Sequence, residues 1–264
     1  MIRLVCIDVD GTLVGSGGGV HPRVWAAAER ARAAGVRLAV CSGRPGFGGT
    51  RVLAERLDGE GWHSFQNGAS VLHLPTGRSL STPIPAATLA MLLARARATG
   101  RLLEFYTDAD YAFEGPPRRA REHAGLLGVP FAERPIAALT GTVVRAQWLL
   151  PFSQTEEVLA EPHTGLEVSP STSPVMPDTQ FINLTLAGID KATAVRALAA
   201  EYGIPLPQVM FVGDGENDAP AMRIVGAPVA MANAEPVTLA AATRVVPHVD
   251  EGGLADALEA VIAR

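Results

Sequence analysis

Short apolar runs that each end on a polar residue alternate, in the first third of the chain, with longer segments of helical period. Residues 3–7 read as a strand closing at Asp8, and 36–41 as a second closing at Ser42. Between them a glycine-rich loop, 15–19, leads into a helix over about 23–34, with Pro22 near its start and Gly35 as its stop. Residues 51–57 read as helix, and 64–71 as a short, turn-rich stretch around Asn67 and Gly68. Apolar strands alternating with helices point to a parallel sheet.

The pattern changes after Pro83 and Pro85. Residues 86–99 predict a helix closed by Gly100, and 102–106, 111–113, 143–150 and 166–169 read as strands. Helices at about 118–127 and 153–161 separate them, and a Ser/Pro-rich turn is expected at 169–177. From 181–186 the strand signal resumes, and the parallel pattern is expected to return with it. Asp190 then caps a helix running to about Tyr202 and stopped by Gly203, and 209–212 is a strand ending in Gly213 and Asp214. A helix at 219–225, a strand at 228–231 and a last helix at about 254–263 complete the reading. The expected architecture is an α/β, Rossmann-like parallel-sheet core of 1–82 and 188–264, interrupted by an α+β cap domain at 83–187.

Composition narrows the function classes. A chain of 264 residues that is 48% hydrophobic and 19% charged has ample material for a core, so a disordered protein is excluded. The net charge is −5 and the largest basic cluster is Arg118, Arg119 and Arg121, so no nucleic-acid partner is expected. No membrane span is expected either: the longest apolar candidate, 224–234, is broken by Gly226, Pro228 and Asn233. Before Asp8 the apolar stretch is too short for a secretory signal, which makes a cytoplasmic location the expectation. Cys6 and Cys41 lie in apolar, strand-like runs and read as buried, inert thiols with no disulfide framework. Lys191 is the single lysine among 22 basic residues, and it sits in the first turn of its helix, where the dipole disfavours a cation. A local rule broken in a lysine-poor chain points to a function, such as neutralising a phosphate or carboxylate oxygen.

Ligands of open parallel sheets bind beyond the carboxyl ends of the strands. At those ends this sequence places Asp8 and Asp10, then Ser42, then Asp214, Asn217 and Asp218. Carboxylates gathered on one edge repel unless protonated or metallated, and a donor set made only of oxygen favours Mg²⁺ over zinc or copper.

The same residues resemble the four ordered motifs of the haloacid dehalogenase (HAD) superfamily: Asp8-Val9-Asp10-Gly11-Thr12-Leu13, Ser42-Gly43-Arg44, Lys191, and Gly213-Asp214-Gly215-Glu216-Asn217-Asp218. Asn67-Gly68-Ala69 and the long insert are similar to its Cof-type members, which carry a IIB (C2B-type) cap. The resemblance implies a Mg²⁺-dependent phosphatase of small phosphorylated metabolites, sugar phosphates among them, that acts through an aspartyl-phosphate. It implies Asp8 as nucleophile and Asp10 as general acid and then base, a division that suits two carboxylates of which one is held ionised by metal. It further implies metal binding by Asp8, the Asp10 backbone carbonyl and Asp214, with Asp218 supporting them, and phosphate binding by Ser42, the Gly43 amide, Lys191 and Asn217. Many relatives have Thr where this chain has Ser42; either hydroxyl bonds a phosphate.

Other readings are weaker or separable. Cys41 and Arg44 stand too close together for a cysteine phosphatase, and Gly213-x-Gly215 lacks the third glycine of a dinucleotide site, having Asp218 there. A phospho-accepting receiver module shares the Asp, hydroxyl and lysine but is much shorter and has no cap; a sugar phosphomutase of the same fold differs in returning the phosphate to the sugar. A small-molecule phosphate ester is the expected partner, with the chain a monomer or weak dimer. Glu104, Tyr106, Asp110, Tyr111, Arg118, Arg119 and Arg145 are the cap side chains that could meet a polar substrate. The Pro and Gly links near 83–85 and 187–188 have the makings of a hinge, giving a lid that excludes water and selects the substrate.

Overall fold

A computed structural model describes every residue except Ala132, Pro174, Ala263 and Arg264. In chain order the first elements are β1 (Leu4–Ile7), α1 (Pro22–Ala33), β2 (Arg37–Val40), α2 (Gly49–Asp58), β3 (Trp62–Phe65) and β4 (Ser70–His73). Next come α3 (Ala86–Thr99), β5 (Leu102–Tyr106), β6 (Tyr111–Glu114), α4 (Pro117–Leu127), β7 (Arg145–Pro151), α5 (Thr155–Ala160), β8 (Leu166–Ser171) and β9 (Thr179–Leu186). The chain closes with α6 (Lys191–Glu201), β10 (Val209–Gly213), α7 (Ala219–Met222), β11 (Ala227–Met231), α8 (Pro236–Ala241), β12 (Arg244–Val246) and α9 (Gly253–Ile262). Two compact units result: Met1–Gly43, Val52–Leu80 and Asp190–Arg264 form the first, and Arg44–Arg51 with Ser81–Ile189 the second. The segment Arg44–Arg51 thus falls in the second unit, although by sequence it lies inside 1–82. Its Phe47 explains this, stacking at 6.5 Å on Tyr106 and 6.3 Å on Tyr111.

The first unit is built on a parallel sheet of order β12-β11-β10-β1-β2. Its central strands β1 and β10 read as unbroken apolar runs because both faces are buried. Val5, Ile7, Leu38, Val40, Met210 and Val212 point to one side, where α1 and α9 pack; Leu4, Cys6, Ala39, Val209 and Phe211 point to the other, toward α6 and α7. Register then fixes the functional edge. Ile7 pairs with both Val40 and Val212, so the residues that follow β1, β2 and β10 emerge side by side. Helix starts are set locally: Pro22 opens α1, and at α6 a capping box joins Asp190 to Thr193, the Thr193 amide donating to Asp190 Oδ1 at 2.8 Å.

The second unit contains an antiparallel sheet of order β6-β5-β7-β9-β8. One face is apolar: Leu103, Phe105, Ala146, Trp148, Ile182 and Leu184 pack under Leu92 and Ala96 of α3 and Val158 of α5. The other carries α4 and a layer of buried polar side chains.

Several expectations need correction. Residues 181–186 do not resume the parallel pattern: they lie in β9, antiparallel to both β7 and β8. Apolar content alone cannot distinguish a strand buried in one sheet from one buried in the other. The turn-rich stretch 64–71 is the end of a β3–β4 hairpin, Phe65 pairing with Ser70 across a tight turn at Gln66–Gly68. The expected turn at 169–177 begins as strand, since β8 runs to Ser171; Pro174 lies outside the described residues. Elements α8 and β12 were not anticipated: β12 is a three-residue edge strand, two of whose residues are exposed. The expected end of the last helix at Ala263 also lies outside the described residues. Among the described residues no helix is long and apolar enough to cross a membrane.

Leu38 is fully buried in β2 against the α1–α9 layer. Leu38→Ala is expected to cost about 2–5 kcal/mol, through lost burial and the cavity it leaves. Urea denaturation of parent and variant, followed by tryptophan fluorescence, measures that difference.

Candidate active site

Because β1, β2 and β10 end in register, Asp8, Ser42 and Asp214 meet at one edge of the first unit although they are far apart in the chain. Lys191, the first residue of α6, enters from the side. Its Nζ donates to Asp8 Oδ1 at 2.6 Å and to Asp218 Oδ1 at 2.5 Å. All three side chains are buried, with exposures of 1% for Lys191, 6% for Asp8 and 0% for Asp218. Burial of the lysine is the reverse of the solvated surface position that a helix start usually offers. Two carboxylates close by more than offset the unfavourable dipole.

Asp218 is fully engaged. Its second oxygen accepts from the Asp214 amide at 2.9 Å and the Gly215 amide at 3.0 Å, closing the turn after β10. Asp214 is held by two residues to which the sequence reading gave no role. Thr12 Oγ1 donates to its Oδ1 at 2.8 Å, and Asn233 Nδ2 donates to its Oδ2 at 3.3 Å and to the Gly11 carbonyl at 2.8 Å. The signal for Asn233 was available: it follows β11, at the same carboxyl edge that identified the other strand-end residues. Gly11 has φ +82°, and a Cβ there would overlap the Asp214 carboxylate, so glycine is required on both counts. Asp10 lies two residues beyond Asp8 and is exposed. Asn217 is also exposed, and its Nδ2 donates to Asn67 Oδ1 at 2.9 Å. Ser42 is buried, and its backbone carbonyl accepts from the Asn67 amide at 3.0 Å.

The charges do not balance within this cluster. Burial pushes the Asp8 carboxyl well above its ordinary range; Lys191 pulls it down, while Asp218, Asp214 and Asp10 push it up further. Asp214 is pushed up to about 6, chiefly by burial, with Thr12 drawing it down and Asp218 adding to the rise. Burial alone would lower Lys191, but Asp218 and Asp8 outweigh it and hold the ammonium charged. One cation among the carboxylates of Asp8, Asp214 and Asp218 leaves an excess of negative charge. One oxygen from each lies within 4.8 Å of the others. An oxygen-only donor set with uncompensated charge fits a hard divalent cation. Cys41, beside this cluster, is an inert thiol, pushed up to about 12 mainly by burial.

The second-unit candidates are largely occupied by partners within that unit. Glu104 is buried and accepts from His123 at 2.8 Å and from the Tyr106 hydroxyl. Arg145 is buried, donates to Asn183 at 3.2 Å and lies 4.0 Å over the Tyr106 ring. Asp110 pairs with Arg134, Arg118 with Glu122, and Arg119 with Asp178. Among the described residues the Tyr111 hydroxyl is buried with no hydrogen-bond partner.

A family model of haloacid dehalogenase-like hydrolases matches residues 5–258, and the chain belongs to that family. It is 30% identical, over 100% of both chains, to YxeH of Bacillus subtilis (strain 168), a provisionally named phosphatase. The crystal structure of a haloacid dehalogenase-like hydrolase from Bacteroides thetaiotaomicron matches it with a TM-score of 0.87 at 25% identity, over 99% of this chain and 100% of that one. A HAD subclass IIB sugar phosphatase, BT4131, shares the fold with a TM-score of 0.81 at 22% identity, over 98% of both chains.

The raised Asp214 sets a pH dependence of stability in metal-free protein. A carboxyl whose folded pKa, about 6, exceeds its ordinary 3.8 contributes stability below about pH 4 and loses it as pH rises through 6. Asp214→Asn removes that contribution. Between pH 4 and 7, with chelator present, the parent should therefore lose more stability than the variant; urea unfolding of both across this range is the measurement.

Proposed function

We propose that this chain is a Mg²⁺-dependent phosphatase of small phosphorylated metabolites, with sugar phosphates as its principal class, acting through a phosphoenzyme formed on Asp8. The observation that carries the reading is Lys191 Nζ bridging Asp8 and Asp218 at 2.6 and 2.5 Å, at the carboxyl edge of a parallel sheet. The phosphatase designation of the full-length relative supports the activity, and the sugar phosphatase of like fold supports the substrate class.

In this reading Asp8 attacks phosphorus with a carboxylate oxygen. Lys191, held charged, fixes the other carboxylate oxygen and offsets charge on the transferring group. Asp10, exposed and outside the Lys191 cluster, gives its proton to the leaving alcohol oxygen as the ester bond breaks. A water then attacks the phosphoryl group and Asp10 takes its proton, so inorganic phosphate leaves and both carboxyl groups return to their starting state. Ser42, the Gly43 amide and Asn217 bind the phosphate oxygens. Mg²⁺ would be held by Asp8, the Asp10 backbone carbonyl and Asp214, and when bound it supplies positive charge beside the phosphoryl oxygens. Asp218 keeps Lys191 and the turn at Asp214 in place. The second unit selects the substrate.

Phosphate release from a panel of sugar phosphates, with and without Mg²⁺, tests this function; a mutase would instead return the phosphate to the sugar. Asp8→Asn should lower release by roughly 10³-fold or more while leaving the circular dichroism spectrum unchanged. Asp214→Ala should weaken Mg²⁺ binding, whereas Lys191→Ala should slow turnover at nearly unchanged metal affinity. Equal losses of metal affinity in a Mg²⁺ titration of the two variants would count against these roles.

A further inference from the structure

The motif Asn67-Gly68-Ala69 has no part in the chemistry described so far, yet it touches three pieces of it. Its turn is conformationally expensive. Gln66 and Asn67 are consecutive non-glycine residues in the left-handed region, at φ +56° and +54°, followed by Gly68 at φ +97°. Left-handed backbone is disfavoured at non-glycine residues, less so at Asn than at Gln, and two in succession persist only where surrounding contacts enforce them. The hairpin β3–β4 supplies one clamp by pairing Phe65 with Ser70. Contacts with the site supply the rest.

These contacts run to separate strand ends. The Asn67 amide donates to the Ser42 carbonyl at 3.0 Å, joining the turn to the segment after β2. The Asn67 carboxamide lies over the Gly43 Cα: a Cβ on Gly43 would come within 3.1 Å of Asn67 Oδ1. Glycine at 43 therefore makes room for Asn67 as well as presenting its own amide. Across the edge, Asn217 Nδ2 donates to Asn67 Oδ1 at 2.9 Å. Gly68 packs so closely on the Asp190 carbonyl that a Cβ would overlap it, and Asp190 is the cap immediately before Lys191. One turn thus braces Ser42-Gly43, Asn217 and the start of α6.

A primary amide can present either its oxygen or its nitrogen, and Asn217 is exposed. Accepting a hydrogen bond from Asn217 decides which end is which. With Asn67 Oδ1 as acceptor, the nitrogen of Asn217 is turned toward Asn67, whose oxygen in turn lies against Gly43, and the amide carries a second N–H for an anion.

We propose that Asn67 is a positioning residue that orients the Asn217 carboxamide beside Gly43, so that both present N–H donors to one phosphate group. The inference rests on the phosphatase reading above. Asn67 does not itself contact the reacting atoms; it acts through Asn217, and its left-handed backbone is the cost of placing it there.

The test is a double-mutant cycle. Asn67→Gly keeps a backbone that tolerates positive φ and removes only the carboxamide, so it should fold and melt close to the parent. It should weaken competitive inhibition by inorganic phosphate, and lower kcat/KM for p-nitrophenyl phosphate, by about five- to tenfold, the scale of one lost hydrogen bond, without changing Mg²⁺ affinity. In an Asn217→Ala background the same substitution should change both by less than about twofold. The side-chain amide resonance of Asn217 should also shift in Asn67→Gly, a readout independent of turnover. Losses that simply add in the double variant, or a fall in Mg²⁺ affinity equal to that in phosphate affinity, would overturn the positioning role. Should Asn67→Gly unfold, Asn67→Asp, which keeps the acceptor and the left-handed preference, must keep the Asn217 side-chain amide resonance at its parental position; a folded Asn67→Asp protein in which that resonance moves would overturn the role. A parent chain that releases no phosphate from any ester would overturn the phosphatase reading itself, and this role with it.

Discussion

Lys191 Nζ sits between two buried carboxylates, Asp8 on the end of β1 and Asp218 beyond β10, and the geometry of the edge depends on that bridge. An ammonium in the first turn of a helix opposes the dipole, and burying it without partners would cost several kcal/mol more. Both costs are offset because the parallel register brings β1 and β10 to the same height. The capping box at Asp190 fixes the turn from which the lysine projects. Removing Lys191 would leave two buried carboxylates without their shared cation, so sheet register, helix start and ion cluster form a single cooperative arrangement.

Around that bridge the polar atoms divide by role. Asp218 uses one oxygen for Lys191 and the other for two backbone amides, so it supports its neighbours and has no oxygen left unengaged. Asp214 is steadied by Thr12 and Asn233, which come from the ends of different strands. Asp10 stands outside the trio of Asp8, Asp214 and Asp218 and is exposed. Two carboxylates separated by one residue thus meet different surroundings, Asp8 buried in the ion cluster and Asp10 exposed.

The second unit handles polarity by internal pairing. Its sheet buries Trp148, Phe105 and Leu184 on one face, and on the other Glu104 Oε2 accepts from Tyr106 and His123 while Arg145 donates to Asn183. A chain that keeps such groups buried must place them accurately, since an unpaired partner in a low dielectric is costly. The polar layer is consequently part of what makes this sheet a single defined structure.

The strand-end acids, the lone lysine and the glycine-rich turns were legible in the sequence because strand ends, helix caps and turns are local features with strong residue preferences. Hence the positions of Asp8, Ser42, Lys191 and Asp214 on their elements followed from period and punctuation alone. What lay beyond reach depends on pairing across the chain. Whether 181–186 joined the parallel or the antiparallel sheet was undecidable from its apolar run, since both environments bury both faces. Glu104 and Arg145 could as well have faced a ligand as each other's neighbours, and only the sheet order β6-β5-β7-β9-β8 settled their partners. The same holds at the site. Sequence placed Asn67 in a turn and Asn217 after a strand, but the 2.9 Å bond between them exists only because a hairpin folded elsewhere delivers one to the other. Local preference determines which residue occupies an element's end; long-range packing determines what that residue touches.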